Sequence, residues 1–264
     1  MTRNKLFRLY TLTNRVLVFA ASFAFLSPTF AQTVSRPGTQ RADLSGVWQR
    51  NFAGDAELIP EFPLTDWGRE AFDSARPLHG PRATSGLESN APSLRCEPMG
   101  IPATYFRPRP FEIIQFPDRL IMLLEIENLW RIIYTDGREF PEDPIPTWNG
   151  YAIGHYEGDT LVVESRHFRG WESEDKPRWL DRLGHPFSDE LILIERLRRL
   201  DHGTFQNEIT VDDPVAYERP WTATMNFRLR EGVELEEFIC QEGDNQAFRE
   251  FERQLLDYVP EPPE

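Results

Sequence analysis

The sequence has no apolar run long enough to cross a bilayer as a helix. Its longest such run, Val16 to Leu26, has 11 residues, whereas a spanning helix needs about 20. A basic region without any acid precedes it and contains Arg3, Lys5, Arg8 and Arg15. Small residues then lead to Ala31, so we predict a secretory signal over 1–31 and a periplasmic or secreted protein. A retained signal anchor is the alternative, and the lack of a cysteine at the cleavage point excludes a lipoprotein.

The chain has only two cysteines, Cys96 and Cys240. Two cysteines are too few for a disulfide-rich scaffold, and no C-x-x-C spacing suggests a metal or redox site. In an exported protein an even number of cysteines favours a disulfide, so we predict a bond between Cys96 and Cys240. A pair of catalytic or metal-binding thiols is the alternative.

Basic residues are scarce, with 29 Lys and Arg against 43 Asp and Glu. Removing the four positive charges of the signal takes the net charge from −14 to −18. A chain this acidic repels phosphate backbones and anionic membrane surfaces. We therefore expect neither a nucleic-acid partner nor binding to anionic membranes. The lack of a long apolar run predicts no membrane span, and we further expect a monomer.

Sequence motifs for the common catalytic centres are missing as well. There is no G-x-S-x-G nucleophile elbow, no H-x-H or H-E-x-x-H zinc motif, no P-loop and no G-x-G-x-x-G. The sequence thus predicts no cofactor and no metal site, although scattered Asp and His side chains could still converge in space.

Proline is abundant, with 22 residues, which argues against a helical bundle and for short strands joined by loops. After a linker over 32–42, we predict a single domain over 43–264. Alternating patterns and turn signals predict about ten strands near 44–48, 111–116, 119–126, 129–134, 150–157, 160–167, 190–200, 204–211, 222–230 and 234–240. A short helix is predicted at Thr65 to Ser74, capped by Thr65, and an amphipathic C-terminal helix at Asn245 to Tyr258. The fold class is all-β, an antiparallel barrel of about 8–10 strands.

Several motifs point to one family. They are D-L-S-G-V-W, P-L-T-D-W-G, R-P-x-x-I-Q-x-P-D-R, G-H-Y-E-G-D-T-L-V-V-E, W-L-D-R-L-G-H-P-F-S-D-E and V-D-D-P-V-A-Y-E-R-P-W. Together they resemble a large group of secreted bacterial proteins of unassigned function, over nearly all of Asp43 to Asn245. Gly46-Val47-Trp48 resembles the G-x-W start of lipocalin-like barrels, in which the Trp closes one end. The resemblance implies a lipocalin-like barrel and transfers no catalytic residue.

The stretch from Gly150 to His167 predicts a β-hairpin whose loop length decides where His155 points. A three-residue loop, Glu157-Gly158-Asp159, places His155 in the cavity, and we favour it because it gathers the more apolar face. A two-residue loop, Gly158-Asp159, places His155 outside beside Glu164. His155 is then either a catalytic candidate or a hydrogen-bonded structural histidine.

Glu125 interrupts an apolar strand. If Glu127-Asn128 is a two-residue turn, Glu125 pairs with Trp130 in an apolar pocket, where its raised pKa would suit a general acid or base. The alternative is an ion pair with Arg131 or another arginine near a barrel rim.

The loop from Trp179 to Asp189 offers the strongest candidate pair. Asp181 could orient His185 by the contact that fixes an imidazole tautomer for proton transfer. Alternatively Asp189 caps the loop and His185 is simply exposed.

These residues lead to two functional hypotheses. The first is a barrel that binds a small apolar or amphipathic molecule in its interior, lined by Trp130, Tyr134, Trp179 and Trp221. The alternative is a cofactor-independent isomerase, lyase or hydratase in the same cavity, using Asp181 with His185 or Glu125 with His155.

Overall fold

A computed structural model describes residues 43–50, 61–171, 176 and 178–241. The signal over 1–31, the linker over 32–42 and the helix at 245–258 lie outside these residues and stay predictions. The division into one domain over 43–264 also stays a prediction.

Nine strands close into a barrel, in which each strand pairs with its neighbours in sequence and the last pairs with the first. The strands are β1 Gly46–Arg50, β2 Phe111–Gln115, β3 Arg119–Leu124, β4 Leu129–Tyr134, β5 Tyr151–Glu157, β6 Thr160–Arg166, β7 Ile192–Arg199, β8 Thr204–Asp212 and β9 Trp221–Leu229. The predicted all-β barrel is confirmed, because alternating side chains give each strand one apolar face that closure buries.

One strand pair departs from the predicted antiparallel pattern. Strands β4 and β5 are parallel and pair only through Ile133 with Ala152 and Tyr134 with Ile153. The proline-rich connection over 135–150 carries the chain back along β4, as a parallel pairing requires a long crossover. We call this short junction the β4–β5 seam.

The hairpin loop is the two-residue form, so the favoured three-residue prediction is wrong. Glu157 pairs with Thr160 and His155 pairs with Val162. Gly158 has a φ of +65°, at the loop position where a two-residue type II′ turn places glycine. The barrel therefore turns the small residues Ala152 and Gly154 inward and leaves His155 outside.

The predicted tenth strand at 234–240 does not form. Strand β9 already pairs with β8 on one side and β1 on the other, so no sheet edge is left for another strand. The segment instead runs along the β3–β4 connection, where the Phe238 N–H donates to Asn128 Oδ1 at 3.2 Å. It ends at the predicted disulfide, Cys96–Cys240, whose Cα atoms are 5.5 Å apart.

Short helical segments cover the barrel. The predicted helix is α1, Asp66–Ser74, and Thr65 caps it by accepting the N–H of Gly68. Single turns of 3-10 helix span Pro92–Arg95, Ala103–Phe106 and Ile126–Asn128.

Aromatic side chains fill much of the interior. Phe227 lies 5.2 Å from both Phe111 and Phe205, measured between ring centres. Trp48 is fully buried, contacts Phe205, and donates its indole N–H to the Leu44 carbonyl at 2.9 Å. Inward-pointing side chains of different strands thus contact one another in the barrel interior.

Candidate functional site

A tight loop before β7 holds the predicted Asp181–His185 pair. The loop closes through a bridge between Trp179 and Pro186, and the Leu180 N–H donates to the His185 carbonyl at 2.8 Å. Asp181 Oδ1 accepts three backbone N–H groups, those of Leu183, Gly184 and His185, at 2.8, 3.1 and 3.3 Å. The carboxylate therefore organises the loop from its first residues.

The second Asp181 oxygen contacts the imidazole. Asp181 Oδ2 lies 2.6 Å from His185 Nδ1, and both side chains are buried. Because a carboxylate only accepts hydrogen bonds, the contact has Nδ1–H as donor and Oδ2 as acceptor. Among the described residues Nε2 makes no hydrogen bond, so it is the ring nitrogen that remains unengaged.

Two phenyl rings hold the imidazole in place. Phe62 stacks on His185 with ring centres 3.7 Å apart, and Phe72 of α1 stacks at 4.7 Å. Together, the two stacked phenyl rings and the contact with Asp181 allow the imidazole ring a single orientation. This is the geometry that positions a histidine for proton transfer, and it equally suits a structural histidine in an apolar cap.

The predicted ligand residue Trp221 lies next to this pair. Phe62 meets it edge-on at 5.0 Å, and Tyr217 lies 5.6 Å from it. The Trp221 indole N–H is buried and has no acceptor in the part of the chain described. Burial, followed by the charges of Asp181 and Asp213, raises the pKa of Tyr217 well above its usual value, so its hydroxyl stays neutral and donates to the Pro186 carbonyl at 2.9 Å.

The other two predicted catalytic residues do not meet. His155 lies on the outer wall, where its Nε2 is 3.3 Å from Glu157, so its predicted place in the cavity is wrong. Glu125 does not pair with Trp130, because β3 and β4 pair Leu124 with Leu129 and leave a four-residue connection. The pairing of Glu125 with His155 is therefore not formed.

Glu125 follows its alternative prediction, an ion pair with an arginine at the barrel rim. Its Oε1 accepts from Arg109 at 3.1 Å, and Oε2 accepts the backbone N–H of Glu236 at 3.0 Å. The side chain is buried and holds the C-terminal segment against the barrel. Its observed contacts are those of a structural carboxylate.

Trp130 and Tyr134 point away from the interior, which corrects their predicted place. The strand register turns Arg131 and Ile133 inward, so Trp130 is 65% exposed on the outer wall. Both aromatics line a pocket of about 350 Å³ at the β4–β5 seam. Its apolar walls also include Ile132, Trp148 and Tyr151, so the seam gathers an aromatic surface on the outside of the barrel.

Asn149 forms part of the wall of this seam pocket. Its Nδ2 donates to the Trp130 carbonyl at 3.1 Å, which ties the loop before β5 to β4. Its Oδ1 is buried and has no donor partner within the described residues. An unpaired buried acceptor requires an explanation, and a bound donor group would supply one.

Trp179 lies apart from the other predicted ligand residues. It is buried with Ala75, Ala91 and Leu94 in a small second core beside the barrel. Its indole N–H has no acceptor in the described chain. The four predicted lining residues thus occupy three places.

A buried polar cluster inside the barrel was missed at the sequence level. Arg131 forms an ion pair with Glu195 and donates to Ser165 at 2.7 Å, while Glu195 Oε1 accepts from Tyr105 at 2.8 Å and Asn207 at 3.0 Å. The signal was present, since Glu195 shares a strand face with Leu193 and Leu197. A charge on an apolar face requires a buried partner.

Mutual contacts set the protonation of this cluster. Burial and then the Glu195 charge raise the pKa of Tyr105 well above its usual value, against the effect of Arg131. Burial disfavours the charge of Arg131, yet Glu195 and Tyr105 hold its pKa above the ordinary value. The cluster therefore keeps a neutral phenol beside a charged guanidinium.

Within the described residues there is no group of three or more His, Cys, Asp or Glu side chains that could hold a metal ion. None of the helices in the same residues has the length and apolar character to cross a membrane. No protein-family model matches the sequence, and neither the curated proteins nor the solved structures that were compared give a match.

Proposed function

We propose that this protein is an exported, monomeric barrel of the secreted bacterial group that its motifs resemble, and that it binds a small, largely apolar molecule. The binding place is the seam pocket rather than the barrel interior. The observation that carries the proposal is the exposure of Trp130, which is 65% accessible at the mouth of a pocket of about 350 Å³.

The chemistry of the pocket supports such a ligand. Small-molecule sites are usually apolar concavities of about 300–1,000 Å³ with a few polar groups that fix orientation. Aromatic walls supply the apolar surface, and the unpaired Asn149 Oδ1 supplies an acceptor. Tyr134 packs against the Tyr151 ring at 5.5 Å and the Arg138 guanidinium at 3.7 Å. The ligand that fits is a flat or branched apolar molecule with a hydrogen-bond donor.

The test combines identification of the ligand with a matched pair of variants. Native mass spectrometry of protein purified from its own periplasm should reveal a retained small molecule. Binding of the neutral apolar dye N-phenylnaphthylamine should weaken about tenfold or more in Trp130→Ala, because one aromatic wall is lost. Phe116→Ala is the control, since Phe116 is also an exposed aromatic and lies outside the pocket. Equal binding by the two variants would overturn the seam pocket as the ligand site.

A second candidate function rests on the 2.6 Å contact between Asp181 and His185. In this function, Nε2 of His185 removes a proton from a carbon acid. It returns that proton to another carbon, as in an isomerase, or to the departing group, as in a lyase or a hydratase working in the direction of water loss. Asp181 holds the tautomer and stabilises the imidazolium that forms. The proton that Nε2 takes up is the one that it gives back, so this step needs no cofactor.

Deuterium exchange tests this candidate directly. The molecule retained by the purified protein is incubated with it in deuterated buffer, and mass spectrometry follows deuterium uptake at carbon. Uptake should disappear in His185→Gln and persist in His202→Gln, whose histidine is exposed and paired with Glu231. An absence of uptake with the unaltered protein would rule the candidate out.

A further inference from the structure

Two arginines and a histidine from distant parts of the chain meet at one pocket beside the barrel. They are His79 after α1, Arg107 after the turn at Ala103–Phe106, and Arg182 in the loop before β7. Trp179 lies in the same pocket wall. We call this group the cationic pocket. Its local positive charge contrasts with the net charge of −14 of the whole chain.

Several donors of the cationic pocket lack a strong acceptor within the described residues. Arg107 donates from Nη2 and Nε to the Met99 sulfur, at 2.7 and 3.1 Å, and a thioether is a weak acceptor. Arg182 Nη2 lies 2.5 Å from His79 Nε2, while Arg182 Nε and Trp179 Nε1 are buried without any partner in the described chain. Arg182 Nη2 therefore has the His79 imidazole as its acceptor, whereas Arg107, Arg182 Nε and the Trp179 indole find no strong acceptor among the described residues.

Among the described residues, no carboxylate contacts the two arginines of the pocket directly. Glu127 is the acidic group whose charge acts on Arg107, but its oxygen accepts the Met99 N–H at 2.9 Å. In the described part of the chain, no ion pair joins a carboxylate to Arg107 or Arg182. Guanidinium groups that are partly buried normally have such a partner.

Burial and nearby positive charge lower the pKa values of the side chains in this pocket. Burial, then the charge of Arg182, lowers the pKa of Arg107 to about 10. Burial lowers the pKa of Arg182, and burial with both arginine charges lowers the pKa of His79. One negative ion placed among them would stabilise the charges of both arginines and favour the protonated form of His79.

We infer that the cationic pocket binds a small oxyanion, a phosphate or a carboxylate, that enters between Arg107, Arg182 and Trp179. The enclosed space is about 10 Å³, which is room for roughly one oxygen atom. One oxygen of the anion therefore enters and accepts from the guanidinium and indole N–H groups. The remainder of the ion lies toward exposed His79, so a free ion and the head group of a larger molecule both fit.

Calorimetric titration of the full mature chain with sodium phosphate, sodium acetate and sodium chloride, at constant ionic strength, tests the inference. At least one of the two oxyanions should bind, and chloride should bind more weakly. Arg107→Gln and Arg182→Gln should each weaken oxyanion binding about tenfold or more, because each removes charge-assisted hydrogen bonds. Phosphate and acetate serve as separate arms, so their ratio identifies the class of anion.

The matched control is Arg198→Gln, which removes an exposed arginine paired with Asp159 on the outer wall. It should leave oxyanion binding unchanged. Equal heats for all three salts, or equal affinity in Arg107→Gln and Arg198→Gln, would overturn the site.

A spectroscopic reading covers the case in which an arginine variant fails to fold. The indole N–H signal of Trp179, identified by its loss in Trp179→Phe, should move on oxyanion addition because the buried N–H gains an acceptor. A signal that stays in place while other indole signals move would contradict the inference.

Discussion

The Arg131 guanidinium donates to the Glu195 carboxylate inside the barrel, where the two side chains are 1% and 0% exposed. Tyr105 bonds to both partners, and Asn207 adds a further donor to Glu195. An ion pair at this depth depends on both members, because a charge left alone in the interior is costly.

Removing one member of this pair should destabilise the barrel strongly. Glu195→Leu leaves the Arg131 guanidinium without its counter-charge, and we expect a loss of about 3–5 kcal/mol in the free energy of unfolding. The double variant Arg131→Met with Glu195→Leu should recover most of that loss. Urea unfolding followed by circular dichroism measures both. Asp159→Asn, which breaks an exposed pair with Arg198, should cost at most about 1 kcal/mol.

Gly184 places the loop that carries Asp181 and His185. Its φ is +93°, and an added Cβ would lie 2.6 Å from the Ala75 Cβ. Gly184→Ala should therefore destabilise the fold by about 1–3 kcal/mol or more. Gly137→Ala is the control, because Gly137 has a φ of +79° but nothing within 4 Å of the added Cβ. Similar thermal unfolding of the two variants would show that the contact with Ala75 is unimportant.

Glu127 should make stability fall as the pH rises. Burial raises its pKa, against the Met99 N–H and the charges of Arg107 and Arg178. The folded chain thus holds the proton more tightly than the unfolded chain, so stability is lost between the ordinary pKa and the raised one. In urea unfolding, the free energy of unfolding of Glu127→Gln minus that of the unaltered protein should increase from about pH 4 to about pH 7.

Glu97 supplies the opposite slope as a control. Burial would raise its pKa, but Arg95 and Lys176 outweigh burial and lower it. Its contribution is present above the unfolded pKa and disappears as the pH falls through the folded one. Glu97→Gln should therefore lose stability relative to the unaltered protein as the pH rises to about 4.5, and the difference should stay constant above that pH. Parallel curves for the two variants would contradict both assignments.

The Cys96–Cys240 disulfide joins positions 144 residues apart. Closing so long a loop restricts the unfolded chain, so removing it should cost about 2–5 kcal/mol. We expect the double variant Cys96→Ala with Cys240→Ala to unfold at lower urea concentration. Addition of dithiothreitol to the unaltered protein should reproduce the shift and leave the variant unchanged. If the fully reduced unaltered protein unfolds at the same urea concentration as the oxidised protein, the prediction is wrong.

Local patterns were sufficient for the strands and the first helix. Alternation marks one apolar face per strand, and the Thr65 side chain next to a helical pattern marks the start of α1. The contact between Asp181 and His185 was also within reach, because the two residues are close in sequence and share a loop. In each case the physical cause lies within a few residues of its effect.

Those local patterns did not predict the loop lengths. They therefore did not predict on which face of its strand each side chain lies. One residue more or less in the loop at Gly158 reverses every side chain of a strand, and this reversed the prediction for His155. The longer connection after Leu124 likewise separated Glu125 from Trp130. Turn geometry and barrel closure decide such registers together.

By itself, the sequence determined an all-β chain with alternating strands, one pair of cysteines and an acidic surface. Only the tertiary structure decided that Arg131 meets Glu195 across the barrel, that Trp130 faces outward at the seam, and that His79, Arg107 and Arg182 share a pocket. These contacts join residues far apart in the chain. Their energies depend on burial and on which charges become neighbours, and both arise only when the barrel closes.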